Sequence, residues 1–166
     1  MATVRNMAEL EKALNNTMYM AIKKAQQSVY DVIQDFIKEY YKEKVFIDEN
    51  GNASMIPKVY DRTFQFFTSL VKSEIKKISG GWECEVYIDY ESLDYIGHSG
   101  LETVEMINRG FHAQTAINNG IYETPYDISA NGHFWDDSLS EINKTKLIVR
   151  IFEEYFKKRG FNVTTK

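Results

Sequence analysis

Residues 2–50 contain neither glycine nor proline, and nothing in that stretch interrupts a helix. Apolar side chains recur at Met7, Leu10, Leu14, Met18, Ile22, Ala25, Val29, Ile33, Phe36 and Tyr40. The steps are all three or four, the period of one helix face. The spacing predicts a single helix from about Asn6 to Lys44, roughly 55–60 Å long at 1.5 Å per residue. A domain of this size offers a face only about 30–35 Å across. Part of the stripe therefore lacks cover from its own chain, and each exposed side chain costs roughly 1.5–3 kcal/mol relative to burial. The uncovered turns lie around Met7 to Met18 or around Phe36 to Tyr41, and Met18, Ile22, Phe36 and Tyr40 are candidate contacts with a neighbouring copy. Glu11, Lys12, Lys23, Lys24, Gln27 and Lys38 form the wet side. A coiled-coil adaptor is an alternative reading, but the stripe drifts in register and mixes Met, Ala and Tyr at its seam.

The remainder of the chain changes character. Asp48-Glu49-Asn50-Gly51-Asn52 is a turn cluster that ends the arm, and an extended loop over residues 53–63 follows. Pro57 holds Ile56 away from helical dihedrals. Ser79-Gly80-Gly81-Trp82 marks a hairpin, with residues 71–79 and 82–89 pairing around Gly80-Gly81. Along Trp82 to Asp89 the alternation places Trp82, Cys84, Val86 and Ile88 inward. A short helix is expected from Gly100 to Asn108, with Leu101, Val104 and Ile107 on one face and Gly110 at its end. Residues 111–132 read as a long Asn-containing loop, a length that is uncommon without a binding role. Ser138 or Ser140 could start a final helix to about Lys158, and Phe161-Asn162-Val163 could close as an edge strand. The expected fold is α+β. A long N-terminal helix precedes an antiparallel β-sheet with a Gly-Gly hairpin, and a C-terminal helix packs on the sheet. One domain covers residues 1–166, divided into a helical arm over 1–45 and an α+β body over 53–166.

Composition narrows the function classes. Net charge is −4 and no basic block stands out, which disfavours sequence-independent binding to DNA phosphates. The aromatic fraction is 14%, with 11 Tyr and 10 Phe, and tyrosine suits surfaces that become buried on assembly. Cys84 is the single cysteine, so no disulfide forms within the chain, and its strand position suits a small buried hydrophobe. No apolar stretch approaches membrane-spanning length, and the N-terminus lacks the pattern of a secretory signal.

No constellation for catalysis emerges. His98, His112 and His133 could in principle hold a metal for a small intracellular hydrolase or nuclease. None of the three has the spacing of a metal motif, and no metal or cofactor is expected. Cys84 lies mid-strand with no nucleophile elbow, and Gly80-Gly81 lacks the Gly-Lys-Ser/Thr of a phosphate loop. Glu83 with Glu85, or Asp89 with Glu91, mimic paired carboxylates but fall on a solvent face. Arg62, beside Asp61, could clamp a carboxylate or a helix end through its planar fork. Tyr60, Arg62 and Thr63 are thus clamp or partner-contact candidates.

The run Pro57-Lys58-Val59-Tyr60-Asp61-Arg62-Thr63, placed after a long N-terminal helix, resembles a Pro-x-x-Tyr-x-Arg-Thr segment. That segment belongs to the minor structural proteins at the head–tail junction of tailed bacteriophages, the neck or tail-completion proteins. Glu85-Val86-Tyr87-Ile88-Asp89 after the hairpin, the helix leading into Gly110-Phe111-His112, Phe134-Trp135, and Lys158-Arg159-Gly160-Phe161 resemble the same family. Phe64 follows Thr63 where a related variant has glycine. The resemblance implies a non-enzymatic virion component made in the bacterial host cytoplasm. It implies a ring, hexameric or higher, that contacts connector, portal or tail-tube proteins and through which DNA passes without specific binding.

Overall fold

Asn6 opens the first helix as its cap. The Glu9 N–H donates to Asn6 Oδ1 at 2.9 Å and the Leu10 N–H to the Asn6 carbonyl at 3.1 Å, satisfying donors that a helix start leaves orphaned. The computed structural model describes residues 6–42, 65–93, 99–109 and 133–162. Helix α1 runs Met7–Lys42, 36 residues, or about 54 Å at the helical rise. Among the described residues four further helices follow: α2 Gln65–Thr68, α3 Gly100–Arg109, α4 Phe134–Lys144 and α5 Leu147–Lys158. The strands are β1 Leu70–Lys72, β2 Lys76–Ile78, β3 Gly81–Glu83 and β4 Val86–Ile88, and a 3-10 turn spans Tyr90–Ser92. The class is α+β, as the sequence predicts.

The four strands form one hairpin with a fault in its middle. At the tip, β2 and β3 pair antiparallel with Lys76 opposite Glu83, Lys77 opposite Trp82 and Ile78 opposite Gly81. The two turn residues are therefore Ser79 and Gly80, with Gly80 at φ 91°. The expected turn centre moves back by one residue. Positive φ is needed at the second turn position, and Gly81 already belongs to β3. At the base β1 pairs with β4. The Ser73 N–H donates to the Glu85 carbonyl at 3.0 Å, and the Asp89 N–H to the Ser69 carbonyl at 2.8 Å. From Ser73 to Lys76 the first strand takes three steps, while Glu85 to Glu83 takes two. The extra residue lies at Glu74-Ile75 and makes a bulge.

Because the extra residue sits on the first strand, the alternation of the second survives. Trp82, Cys84 and Val86 are half-buried and Ile88 is buried, while Glu83, Glu85 and Tyr87 face out. The predicted inward face is the observed one. The opened ladder is filled by side chains. The Glu85 N–H donates to Ser73 Oγ at 2.8 Å. From α1, the Gln26 amide donates through Nε2 to the carbonyls of Ser73 at 2.9 Å and Glu85 at 3.0 Å. Gln26 is only 9% exposed, and a buried amide needs such partners.

Packing divides the chain into two units. The first comprises Met1–Val32, Lys72–Tyr87 and Ser140–Lys166; the second comprises Ile33–Val71 and Ile88–Leu139. In the first unit the buried line of α1 runs through Thr17, Ala21 and Ala25. Met18 and Ile22 flank it half-buried. The expected stripe is thus rotated toward small residues, whose short side chains let a helix backbone come close to its neighbours. Gln26, one residue past Ala25, reaches the hairpin backbone from this line. Tyr19 lies against Trp82 with ring centroids 5.2 Å apart.

The final helix of the sequence reading is two helices. Lys146 at φ 50° breaks the run after α4, and Thr145 Oγ1 donates back to the Glu141 carbonyl at 2.7 Å. The apolar spacing explains the break, since Ile142 to Leu147 is a step of five that one continuous helix would rotate out of line. At its other end α5 closes in a Schellman motif. Gly160 takes φ 84°, its N–H donates to the Lys157 carbonyl, and the Phe161 N–H donates to the Phe156 carbonyl. The rings of Phe156 and Phe161 meet at 5.7 Å. Phe161 and Asn162 therefore cap a helix rather than form the expected edge strand.

The second unit has an aromatic core. Phe66 and Phe134 meet edge to face at 5.1 Å, both almost fully buried. Ile33, Ile37, Leu70, Ile88, Leu93 and Val104 are also buried. Helix α3 starts with a reciprocal capping box: the Glu102 N–H donates to Ser99 Oγ at 3.2 Å and the Ser99 N–H to Glu102 Oε2 at 2.9 Å. Its buried side carries Gly100, Thr103 and Val104, whereas Leu101 is 48% exposed, which corrects the expected face. The rotation follows from Gly100. A Cβ there would lie 2.1 Å from the Tyr90 carbonyl oxygen and 2.9 Å from Leu93 Cβ, so the glycine side of the helix is the one pressed against the 3-10 turn. The Ile107 side chain and Gly110 lie outside the described residues.

Candidate functional site

Of the candidate contacts on α1, Met18, Ile22 and Phe36 are half-buried, and the Tyr40 side chain lies outside the described residues. Tyr60, Arg62 and Thr63 also lie outside them, as do the loop over residues 111–132, His98 and His112. Among the described side chains of α1 the most exposed large apolar ones are Met7, at 77%, with Leu14, Tyr19 and Met20. Tyr19 and Met20 were missed because they fall outside the three-four stripe. The signal was the run Met18-Tyr19-Met20: three successive large side chains on a helix cannot all face the core.

His133 is exposed and sits at φ 65°, and its backbone rather than its imidazole makes the defined contacts. Its N–H donates to the Asn108 carbonyl at 2.7 Å and its carbonyl accepts from the Asp137 N–H at 2.8 Å. Asn108 completes the clamp with its side chain. Nδ2 donates to Asp136 Oδ2 at 3.1 Å, and Oδ1 accepts from the Trp135 N–H at 3.0 Å. One residue near the end of α3 thereby fixes the start of α4. The sequence reading weighed His133 as a metal ligand and missed Asn108.

Among the described residues no three His, Cys, Asp or Glu side chains gather as a metal site. Cys84 is half-buried on the hairpin, and desolvation, then the neighbouring Glu85 charge, pushes its thiol above the ordinary range. A thiol held protonated is a poor nucleophile. Glu154 and Lys158 pair on the surface of α5. The hydrogen bond from Lys158 holds the Glu154 carboxyl below its usual value, and the same bond raises Lys158. What remains as a candidate site is surface of a particular kind. Ile148 and Val149 stand exposed beside Lys144, Lys146 and Arg150 at the α4–α5 corner. Tyr90 and Leu101 stand exposed beside Glu91 and Glu105 where the 3-10 turn meets α3. Both arrangements suit contact with another macromolecule better than the capture of a small ligand.

The described residues thus form an α+β chain with a long leading helix, a bulged hairpin and apolar surface bordered by charge. The chain belongs to the YomN family, whose model matches residues 6–158. YomN is a Bacillus phage-derived family name, and the match makes this a phage-associated protein. No curated protein and no solved structure matches the chain. Among the described residues no helix is long and apolar enough to cross a membrane.

Proposed function

We propose that the chain is a structural component of a tailed-phage virion. In this reading it is a ring-forming neck or tail-completion protein, hexameric or higher, that joins the portal side of the head to the tail and catalyses no reaction. The observation that carries this reading is α1. It is 36 residues long, and Met7, Leu14, Tyr19 and Met20 stand exposed along its first half. Side chains of that kind gain from burial against a neighbour. The phage association and the motifs at Pro57–Thr63 support the placement at the head–tail junction.

Inactivating the gene in the phage that carries it tests the proposal. The expected result is DNA-filled heads and separate tails, joined again when the protein is added to the lysate. Normal particles from the inactivated phage, or loss of an enzymatic step with particles intact, would overturn it.

A further inference from the structure

The net charge of −4 conceals two opposed regions. Among the described residues the first unit carries 12 Lys and Arg against nine Asp and Glu, which is +3. The second carries three against eight, which is −5. Counted over the whole sequence, the same segments hold 14 against nine and six against 15, giving +5 and −9, which sum to the −4 of the chain. A difference of this size between two parts of one small protein creates surface potentials that steer association.

Each region also offers apolar surface within its charge. In the basic unit, the α4–α5 corner exposes Ile148 and Val149 between Lys146 and Arg150. Neither cation lies within ion-pair distance of a carboxylate among the described residues. In the acidic unit, the 3-10 turn and α3 are packed together at Gly100 and expose Tyr90 and Leu101 beside Glu91 and beside Glu105, which holds a surface ion pair with Arg109 at 3.3 Å. An apolar centre bordered by cations matches an apolar centre bordered by carboxylates, the arrangement of a core and rim in a protein interface.

We infer that the α4–α5 corner of one copy docks on the Tyr90–Leu101 face of the next copy. Using two different patches makes the contact head-to-tail, the type that closes into rings. The inference rests on the ring reading above, and it assigns the surfaces that would form the ring.

The test uses the full chain and two charge-reversal variants, Lys146→Glu with Arg150→Glu, and Glu91→Lys with Glu105→Lys. Association is followed by sedimentation velocity at low salt, with circular dichroism to verify folding. Wild type associates, and its association weakens as salt is raised because exposed charges are screened. Each variant alone puts like charges together and associates at least about tenfold more weakly. An equimolar mixture of the two restores opposite charge at every junction and recovers the wild-type assembly, which misfolded variants could not do. Variants that assemble as well as wild type overturn the inference while leaving the virion reading intact. Wild type that stays monomeric at low salt overturns it, and so does wild type that binds duplex DNA through Lys146 and Arg150 without self-associating. The virion reading itself is decided separately, by the inactivated phage.

Discussion

The two units of this chain are stabilised in different ways. Among the described residues the second buries Ile33, Ile37, Phe66, Leu70, Ile88, Leu93, Val104 and Phe134, a set of large side chains with an aromatic pair at its centre. The first buries Ala21, Ala25, Ile142 and Ile151, two of them alanines, and relies on Gln26 to close its hairpin. Exposure runs the other way. Met7, Leu14, Tyr19, Met20, Ile78, Tyr87, Ile148 and Val149 stand out from the first unit, against Tyr90, Leu101 and Leu139 from the second. Apolar burial stabilises at about 25 cal/mol per Å² removed from water. The second unit obtains that burial from its own side chains, and the first leaves more of its large apolar side chains exposed.

The sharpest way to break this contrast is at Phe134. Phe134→Ala removes a buried ring and its partner contact with Phe66, and we expect a loss of about 3–5 kcal/mol in denaturant unfolding. A loss below about 1 kcal/mol would mean that the second unit is not the anchor of the fold. Gly100→Ala places a methyl group 2.1 Å from the Tyr90 carbonyl oxygen, so the turn or the helix must move. The expected cost is about 2–3 kcal/mol by the same measurement, with lost hydrogen-exchange protection at Leu93 and Thr103, whose N–H groups donate to the Tyr90 and Ser99 carbonyls on either side of this contact.

Gln26→Leu probes the first unit. It keeps bulk but withdraws the donor from the Ser73 and Glu85 carbonyls, and about 1–3 kcal/mol should be lost. A neutral result would show that water replaces the amide. Gly160→Ala strains the Schellman closure at φ 84° and should cost about 1 kcal/mol. The smallest effect concerns Cys84. With its pKa raised by burial and by Glu85, the folded thiol carries less thiolate than free cysteine at pH 8. Alkylation at pH 8 should therefore run slower than for free cysteine, and its rise with pH should be displaced upward. Alkylation as fast as that of free cysteine would contradict the half-buried placement.

The same contrast explains what could be read from the sequence. Helix α1 and the inward face of β3 and β4 were legible because each is a periodic signal within one segment. The break at Thr145-Lys146 was written in the five-residue step from Ile142 to Leu147, which the search for continuous helix passed over. The Thr17–Ala21–Ala25 line was not legible. A helix flanked by both small and large residues does not declare which line will face its neighbour, and that depends on how close the hairpin comes. Asn108 and Gln26 were invisible for a related reason: their partners lie 27 and 28 residues or, across the hairpin, 47 and 59 residues away. The opposed charges of the two units were hidden because each unit draws on separated segments of chain. Of the proposed contact residues, Met18, Ile22 and Phe36 fall at the margin of buried surface, while among the described side chains of α1 the strongest exposure lies at Met7 and Met20.

The proposed role requires this phage-associated chain to be built into the particle as a ring. Quantitative mass spectrometry of purified virions, with the portal protein as internal standard, tests it most directly. A ring component is retained through purification at six or more copies per particle, in a fixed ratio to the portal. Its absence from purified particles, with abundant free protein in the infected cell, would rule out the ring.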